Sequence, residues 1–130
     1  MSYIDELGVA AKNAEREIIK AGTIQKNAAL RAIADKLLAS KELIIKENAR
    51  DIENAKINGM SEAMIDRLTL TEARIEGMAE GVTQIIALKD PIGEVVGGEE
   101  LLNGLKIVKK RVPLGVIGII FESTSKARAS

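Results

Sequence analysis

The first 90 residues carry apolar side chains at the three- and four-residue spacing of amphipathic helices. The first pattern runs from Ile4 to Ile18 and the last from Ile75 to Ile86. Four long helices and one short one are predicted, because residues that begin or end helices separate the patterns. The predicted N-caps are Thr23, Ser40, Ser61 and Thr71, and the predicted helix ends are Gly22 and Asn58-Gly59. Residues 1–90 are therefore predicted to form a helical part.

The pattern changes at Asp90-Pro91, after which Val, Ile, Leu and Gly dominate. Two strands are predicted, Ile92 to Val96 and Leu105 to Val112, with Asn103-Gly104 as the turn before the second. Gly97-Gly98 is also predicted to be a turn. The sequence thus predicts a β-hairpin within residues 91–113.

An apolar run without a polar side chain follows, from Leu114 to Phe121. Such a run is typical of a strand covered on both faces, as in a parallel sheet. Parallel strands require partners joined through crossover connections, and no further strand follows in this sequence. Residues 114–123 are therefore predicted to be the first parallel strand of an incomplete α/β domain, followed by a polar tail over residues 124–130.

The composition of the chain excludes several kinds of catalysis and argues against several kinds of partner. The chain has no cysteine and no histidine, so thiolate catalysis, disulfides and the commonest metal ligands are excluded for these 130 residues, and no metal site is predicted. A net charge of zero and only two aromatic residues argue against a nucleic-acid partner. No apolar stretch is long enough for a membrane span or a signal core, so a cytoplasmic location and no membrane partner are expected.

The carboxyl end of the predicted buried strand is the best-placed candidate site, because ligands bind beyond such ends in open α/β sheets. Phe121, Glu122 and Ser123 occupy that position. The basic group 109–111 (KKR) has two interpretations, edge-protecting charges or a phosphate contact, and the first is favoured. Glu99 and Glu100 are predicted to be solvated, since adjacent side chains point apart.

Residues 111–123 (RVPLGVIGIIFES) closely resemble the segment that opens the cofactor domain of gamma-glutamyl phosphate reductases, enzymes of the aldehyde dehydrogenase superfamily. The Pro-x-Gly-Val-x-Gly core alone is shared across that superfamily. Residues 58–68 (NGMSEAMIDRL) resemble this reductase in particular, and the matches at 8–12 (GVAAK) and 90–93 (DPIG) agree. The resemblance is collinear from about residue 3 to residue 123.

The resemblance implies a Rossmann-like, aldehyde-dehydrogenase-type fold and an NADPH-dependent enzyme of proline biosynthesis that reduces L-glutamyl 5-phosphate to L-glutamate 5-semialdehyde. It implies cofactor contacts at Ile120, Phe121, Glu122 and Ser123, and homo-oligomer formation through the hairpin at 92–112. The family's cysteine nucleophile lies far downstream, so no catalytic residue is assigned here. The family also continues after Glu-Ser with Arg-Pro-Asn-Val-Thr, whose asparagine stabilises the oxyanion, whereas this sequence has a different tail from Thr124.

The sequence therefore predicts the N-terminal part of such a reductase, inactive by itself. Two alternatives stay open at this point. One is a self-associating interaction module in which the apolar strand is buried against another copy. The other is a regulatory fragment that docks onto intact reductase subunits through the hairpin.

Overall fold

A helical part precedes a two-stranded antiparallel hairpin in the computed structural model, which describes residues 2–119. The elements are α1 (Tyr3–Ile18), α2 (Thr23–Ala39), α3 (Lys41–Ile57), α4 (Glu62–Leu68), α5 (Glu72–Ala87), β1 (Val95–Glu100) and β2 (Lys106–Lys110). The predicted helices and hairpin are thus confirmed. The described residues form two compact units: a helical unit, residues 27–88, and a hairpin unit, residues 2–26 and 89–119. None of the helices within residues 2–119 is long and apolar enough to cross a membrane.

Two predicted helix boundaries are confirmed by their hydrogen bonds. Thr71 accepts a hydrogen bond from the backbone N–H of Arg74 and so caps α5. At the end of α3, Gly59 adopts a left-handed φ of 72°, and its N–H donates to the Lys56 carbonyl. The N–H of Met60 donates to the Ala55 carbonyl, which completes a Schellman motif.

Of the three other predicted N-caps, one is wrong and two are confirmed in position. The prediction for Thr23 is wrong: it is the first residue of α2, while the preceding Gly22 donates its N–H to Oε1 of Gln25. The Thr23 hydroxyl instead donates a hydrogen bond to the Asp90 carboxylate. Ser40 and Ser61 do occupy the N-cap positions of α3 and α4, but neither side chain makes a capping hydrogen bond.

The core of the helical unit is small. Ile75 on α5 is completely inaccessible to solvent (0% exposed), and it is the largest buried side chain among the described residues. The other buried apolar residues are Ala34, Ala55 and Ala79. Since α3 contacts both α4 and α5, the packing of this unit centres on α3 and one isoleucine among alanines.

Asn48 on α3 is the buried polar residue of this unit, with 7% of its surface exposed. Its Nδ2 donates to the carbonyl of Leu68 at 2.9 Å, and its Oδ1 accepts from the N–H of Leu70 at 2.7 Å. Leu68 is the last residue of α4, and Leu70 lies in the short connection between α4 and α5. Both backbone groups would otherwise lack intrahelical partners. One side chain therefore fixes the connection against α3.

The hairpin pairs β1 with β2 from Val95–Lys110 to Glu100–Lys106. The register shifts between Val95 and Gly97, which marks a β-bulge. The prediction of a turn at Gly97-Gly98 is therefore wrong, because both residues lie within β1. A Cβ built on Gly98 would lie 2.9 Å from the carbonyl oxygen of Ile107, so glycine permits the close approach of the facing strand.

The predicted turn at Asn103-Gly104 is confirmed. Gly104 has a φ of 82° and donates its N–H to the Leu101 carbonyl at 2.8 Å. Oδ1 of Asn103 accepts from the N–H of Leu105, as expected for an Asx turn. Strand β1 is shifted from the predicted span, since it runs from Val95 to Glu100, whereas β2 lies within the predicted span and ends at Lys110.

Residues 112–119 make up the apolar segment, which follows the hairpin without joining a strand pair among residues 2–119. The sequence predicts a buried strand beginning at Leu114, yet residues 114 and 116–119 are exposed. The physical reason is that a strand needs a neighbouring strand for its hydrogen bonds and covering layers for its side chains, and the described residues supply neither.

The hairpin unit as a whole has no buried residue among those described. Helix α1 has none either, although its apolar side chains recur at helical spacing. All the buried residues of the described chain belong to the helical unit. The two units therefore differ in kind: one has a small core of its own, and the other presents apolar surface to solvent.

Candidate functional site

The predicted cofactor contacts Ile120, Phe121, Glu122 and Ser123 lie outside the described residues. The structure therefore describes only the chain that leads to them, from the end of α5 through the hairpin to Ile119. Within residues 2–119, no group of three or more acidic residues is arranged to hold a metal ion. The described residues of interest are therefore those that hold the chain leading to residue 120.

The hairpin begins at a polar cluster that we call the Asp90 clasp, made of Thr23, Lys26, Asp90 and Ile92. One carboxylate oxygen of Asp90 accepts from Lys26 Nζ at 2.8 Å and from the Thr23 hydroxyl at 3.1 Å. The other accepts from the N–H of Ile92 at 3.0 Å. Residues at the start of α2 are thereby joined to the base of the hairpin, 64 to 67 positions further along the chain.

Hydrogen bonding lowers the pKa of Asp90 below its ordinary value of 3.8, chiefly through Lys26 and then through the N–H of Ile92. These donors favour the charged carboxylate. Because the folded pKa lies below the unfolded one, the contribution of Asp90 to stability is present above pH 3.8 and is lost as the pH falls through the folded pKa. The clasp is thus expected to weaken in acid.

Replacing Lys26 with methionine is expected to raise the pKa of Asp90 toward its ordinary value, because the largest stabilising partner of the carboxylate is removed. The pKa of Asp90 is measured directly from the NMR chemical shift of its side-chain carboxyl carbon between pH 2 and 6. Lys20→Met is the matched control, since Lys20 pairs only with Glu17 in the described chain. An unchanged midpoint in the Lys26→Met variant would show that the clasp is not formed in solution.

Glu94 holds the other side of the hairpin base. Its carboxylate lies 3.1 Å from Lys89 Nζ and 3.2 Å from Arg111 Nε, and its carbonyl accepts from the Arg111 N–H. Lys89 first, and then Arg111, lower the pKa of Glu94. The N–H of Gly93 also donates to the Arg111 carbonyl. Arg111 is therefore fixed just before the apolar segment begins.

The three basic residues at 109–111 differ in their contacts. Arg111 is paired with Glu94, whereas Lys109 and Lys110 are exposed and make no ion pair within residues 2–119. Exposed lysines on a strand whose outer edge is open discourage edge-to-edge association. The edge-protecting role remains the favoured interpretation, and the phosphate contact remains the other.

The sequence does not predict the Asp90 clasp. Asp90 is recognisable in the sequence only as the residue before a proline, where the chain changes character. The local signal available was Asp-Pro-x, since an aspartate often accepts from the N–H two residues on. Its long-range partners, Thr23 and Lys26, carry no sequence signal that links them to residue 90.

A shallow apolar groove of about 260 Å³ lies in the helical unit, lined by Ile33, Lys36, Leu37, Ser40 and Ile44. Ligand sites combine apolar walls with several convergent polar groups. This groove offers one lysine and one serine, and it contains none of the predicted site residues. We assign it no ligand.

The fold of this chain is similar to that of solved reductases. No protein-family model matches the chain. The crystal structure of gamma-glutamyl phosphate reductase from Thermotoga maritima superimposes with a TM-score of 0.83 at 35% identity, over 86% of this chain and 27% of that one. The corresponding structure from Saccharomyces cerevisiae gives a TM-score of 0.76 at 28% identity, over 83% and 28%.

At the sequence level, the chain is 49% identical over 129 residues to a gamma-glutamyl phosphate reductase of Lachnospira eligens. The predicted resemblance is thereby confirmed: this chain is homologous to the N-terminal part of gamma-glutamyl phosphate reductases. The match includes 99% of this chain and 31% of the relative, so the chain spans about a third of the length of that enzyme. It also extends past Ser123, since at most one of the 130 residues is left out.

Proposed function

We propose that this chain supplies the N-terminal part of a cytoplasmic gamma-glutamyl phosphate reductase, which reduces L-glutamyl 5-phosphate to L-glutamate 5-semialdehyde with NADPH in proline biosynthesis. The observation that carries the proposal is the 49% identity over 129 residues with a reductase of that name. The agreement of the backbone with two solved reductases supports the proposal independently, because it includes 86% and 83% of this chain.

The chain by itself is inactive under this proposal. Its 130 residues contain no cysteine, and the resemblance assigns acyl transfer to a cysteine thiolate elsewhere in the enzyme. The carboxylates that carry a lowered pKa, Asp5, Asp90 and Glu94, are all held by hydrogen bonds that keep them charged. Charged, paired carboxylates of this kind stabilise local structure and are poor proton acceptors.

The role of these residues in the enzyme is to position the approach to the cofactor. The Asp90 clasp and the Glu94–Arg111 pair fix the start of the hairpin and the start of the apolar segment. In the proposal, Ile120, Phe121, Glu122 and Ser123 follow that segment and contact NADP, and the hairpin at 92–112 takes part in homo-oligomer formation. The substrate is the small molecule glutamyl phosphate.

A chimeric enzyme tests the proposal. Residues 1–123 of this chain are joined to the part of the Lachnospira eligens reductase that follows the position aligned with Ser123. We expect the chimera to oxidise glutamate semialdehyde with NADP and phosphate, followed as NADPH absorbance, whereas the 130-residue chain gives no turnover above a no-enzyme control. The intact Lachnospira reductase is the positive control.

Two outcomes would contradict the proposal. A chimera that folds, as judged by circular dichroism and size-exclusion chromatography, yet has no turnover would show that these residues cannot serve as the N-terminal part of the enzyme. Turnover by the 130-residue chain alone would show that it is complete in chemistry without the cysteine.

The second candidate function is a self-associating module without catalysis. The observation in its favour is the exposed apolar surface of the hairpin unit, which has no buried residue among those described. Light scattering tests this second function, because a self-associating module would be a compact dimer. Such a dimer would also unfold in a single cooperative transition.

A further inference from the structure

The chain contains two Asn-Gly pairs with closely similar neighbours. One lies in residues 57–60 (INGM), at the end of α3, and the other in residues 102–105 (LNGL), at the tip of the hairpin. Both glycines have a left-handed φ, 72° at Gly59 and 82° at Gly104, and each donates its N–H to a carbonyl three residues back. Both asparagines are exposed. The two pairs are therefore nearly matched in sequence and in backbone conformation.

An Asn-Gly pair can react without any other side chain. The glycine nitrogen attacks the side-chain carbonyl carbon of the asparagine, so that a C–N bond forms and the bond to the amide nitrogen breaks. Ammonia leaves, carrying the glycine proton by way of solvent, and water then opens the succinimide ring to aspartate or isoaspartate. Glycine permits the attack because it has no Cβ to hinder the approach of its backbone.

The side-chain oxygen of Asn103 already has a hydrogen-bond donor. Its Oδ1 accepts from the N–H of Leu105 at 3.1 Å, and this Asx turn folds the amide back over Gly104. Negative charge develops on that oxygen during the attack, and a donor already in place stabilises it. The side chain of Asn58 makes no hydrogen bond within residues 2–119. The two sites thus differ in their support for the oxyanion.

The glycine N–H is also released more easily at the hairpin tip. Gly59 belongs to the Schellman motif of α3, in which the next N–H bonds to the carbonyl of Ala55, a buried residue of the helical unit. Gly104 belongs to the hairpin unit, which has no buried residue among those described, and a Cβ built on Gly104 would meet nothing within 4 Å. Opening a segment that lacks buried apolar contacts costs little free energy.

We propose that Asn103 is a site of spontaneous modification, at which the side-chain amide is converted to aspartate or isoaspartate several-fold faster than at Asn58. This inference goes beyond the proposed function and does not depend on it. Either product places a negative charge at the tip of the hairpin, and isoaspartate also adds a methylene to the main chain of the turn. The turn is closed by the N–H of Leu101, which donates to the Leu105 carbonyl at 2.8 Å. Isoaspartate at position 103 therefore loosens the end of the hairpin.

The experiment incubates the 130-residue chain in mildly alkaline buffer and follows the peptides around both asparagines by mass spectrometry, in which each conversion appears as a small mass increase. Electron-transfer fragmentation separates isoaspartate from aspartate. We expect Asn103 to react about fivefold faster than Asn58 or more, which is the rate ratio that one hydrogen bond of ordinary strength supplies. Equal rates, or faster reaction at Asn58, would overturn the proposal.

The same incubation in concentrated urea is the matched control. Both pairs then lose their local structure, and because each is flanked by apolar residues, we expect them to react at similar rates. A fivefold difference that persists in urea would assign the effect to the neighbouring residues and would also overturn the proposal. Neither measurement uses reductase activity, so its result is independent of the outcome with the chimera.

Discussion

Replacing Ile75 with alanine is expected to remove most of the stability of the helical unit. Ile75 is 0% exposed, and the other buried apolar residues of this unit are alanines, which cannot extend to fill the space left behind. Truncation of a buried isoleucine to alanine typically costs about 2–5 kcal/mol, from lost burial and the cavity it leaves. Whole domains are stable by only about 5–15 kcal/mol. Because this unit has one large buried side chain, we expect it to be mostly unfolded once that side chain is truncated.

Urea unfolding followed by circular dichroism measures the effect, with Ile85→Ala as the matched control. Ile85 lies on the same helix α5 but is 51% exposed, so the same truncation there removes much less buried surface. The unfolding midpoint should fall sharply for Ile75→Ala and little for Ile85→Ala. Equal midpoints for the two variants would show that α5 is not packed through Ile75.

Replacing Asn48 with leucine is expected to destabilise the helical unit by about 2–4 kcal/mol, although leucine is the more apolar residue. The change leaves the carbonyl of Leu68 and the N–H of Leu70 without their partner, and each buried unpaired group costs about 1–3 kcal/mol. The gain from a larger apolar side chain at this position does not offset two lost hydrogen bonds at a buried site.

Asn54→Leu is the control for this change. Asn54 lies on the same helix α3, is exposed, and its side chain makes no hydrogen bond within residues 2–119, so its replacement should change the unfolding free energy by less than about 0.5 kcal/mol. Hydrogen exchange provides a second readout, since the amide of Leu70 should lose protection in the Asn48 variant. Retained protection at Leu70 would mean that the connection is fixed by something other than Asn48.

The helices could be predicted from the sequence because their signals are local. Thr71 caps α5, and Asn58-Gly59 ends α3, since each acts on backbone groups within a few residues. Thr23 could not be assigned correctly, because the partner of its hydroxyl, Asp90, is 67 residues away. Asn48 was equally invisible, since an asparagine in a charged helical stretch gives no sign that it will be buried.

The hairpin shows the same division between local and distant information. Asn103-Gly104 could be predicted because the turn is made by those residues themselves. The turn predicted at Gly97-Gly98 is wrong, because the need for glycine at Gly98 comes from the facing strand at Ile107 and not from a local turn. The position at the end of an apolar run marks Phe121, Glu122 and Ser123 as a candidate site. The family resemblance adds Ile120 and the cofactor contacts, which remain a prediction.

The division into two units has a consequence for the order of events during synthesis. The helical unit is one continuous stretch, residues 27–88, and it contains all the buried residues of the described chain. It can therefore fold as soon as α5 has left the ribosome. The hairpin unit joins residues at both ends of that stretch, and the Asp90 clasp cannot form until residue 90 has been made. We therefore expect the helical unit to fold before the apolar segment has been synthesised.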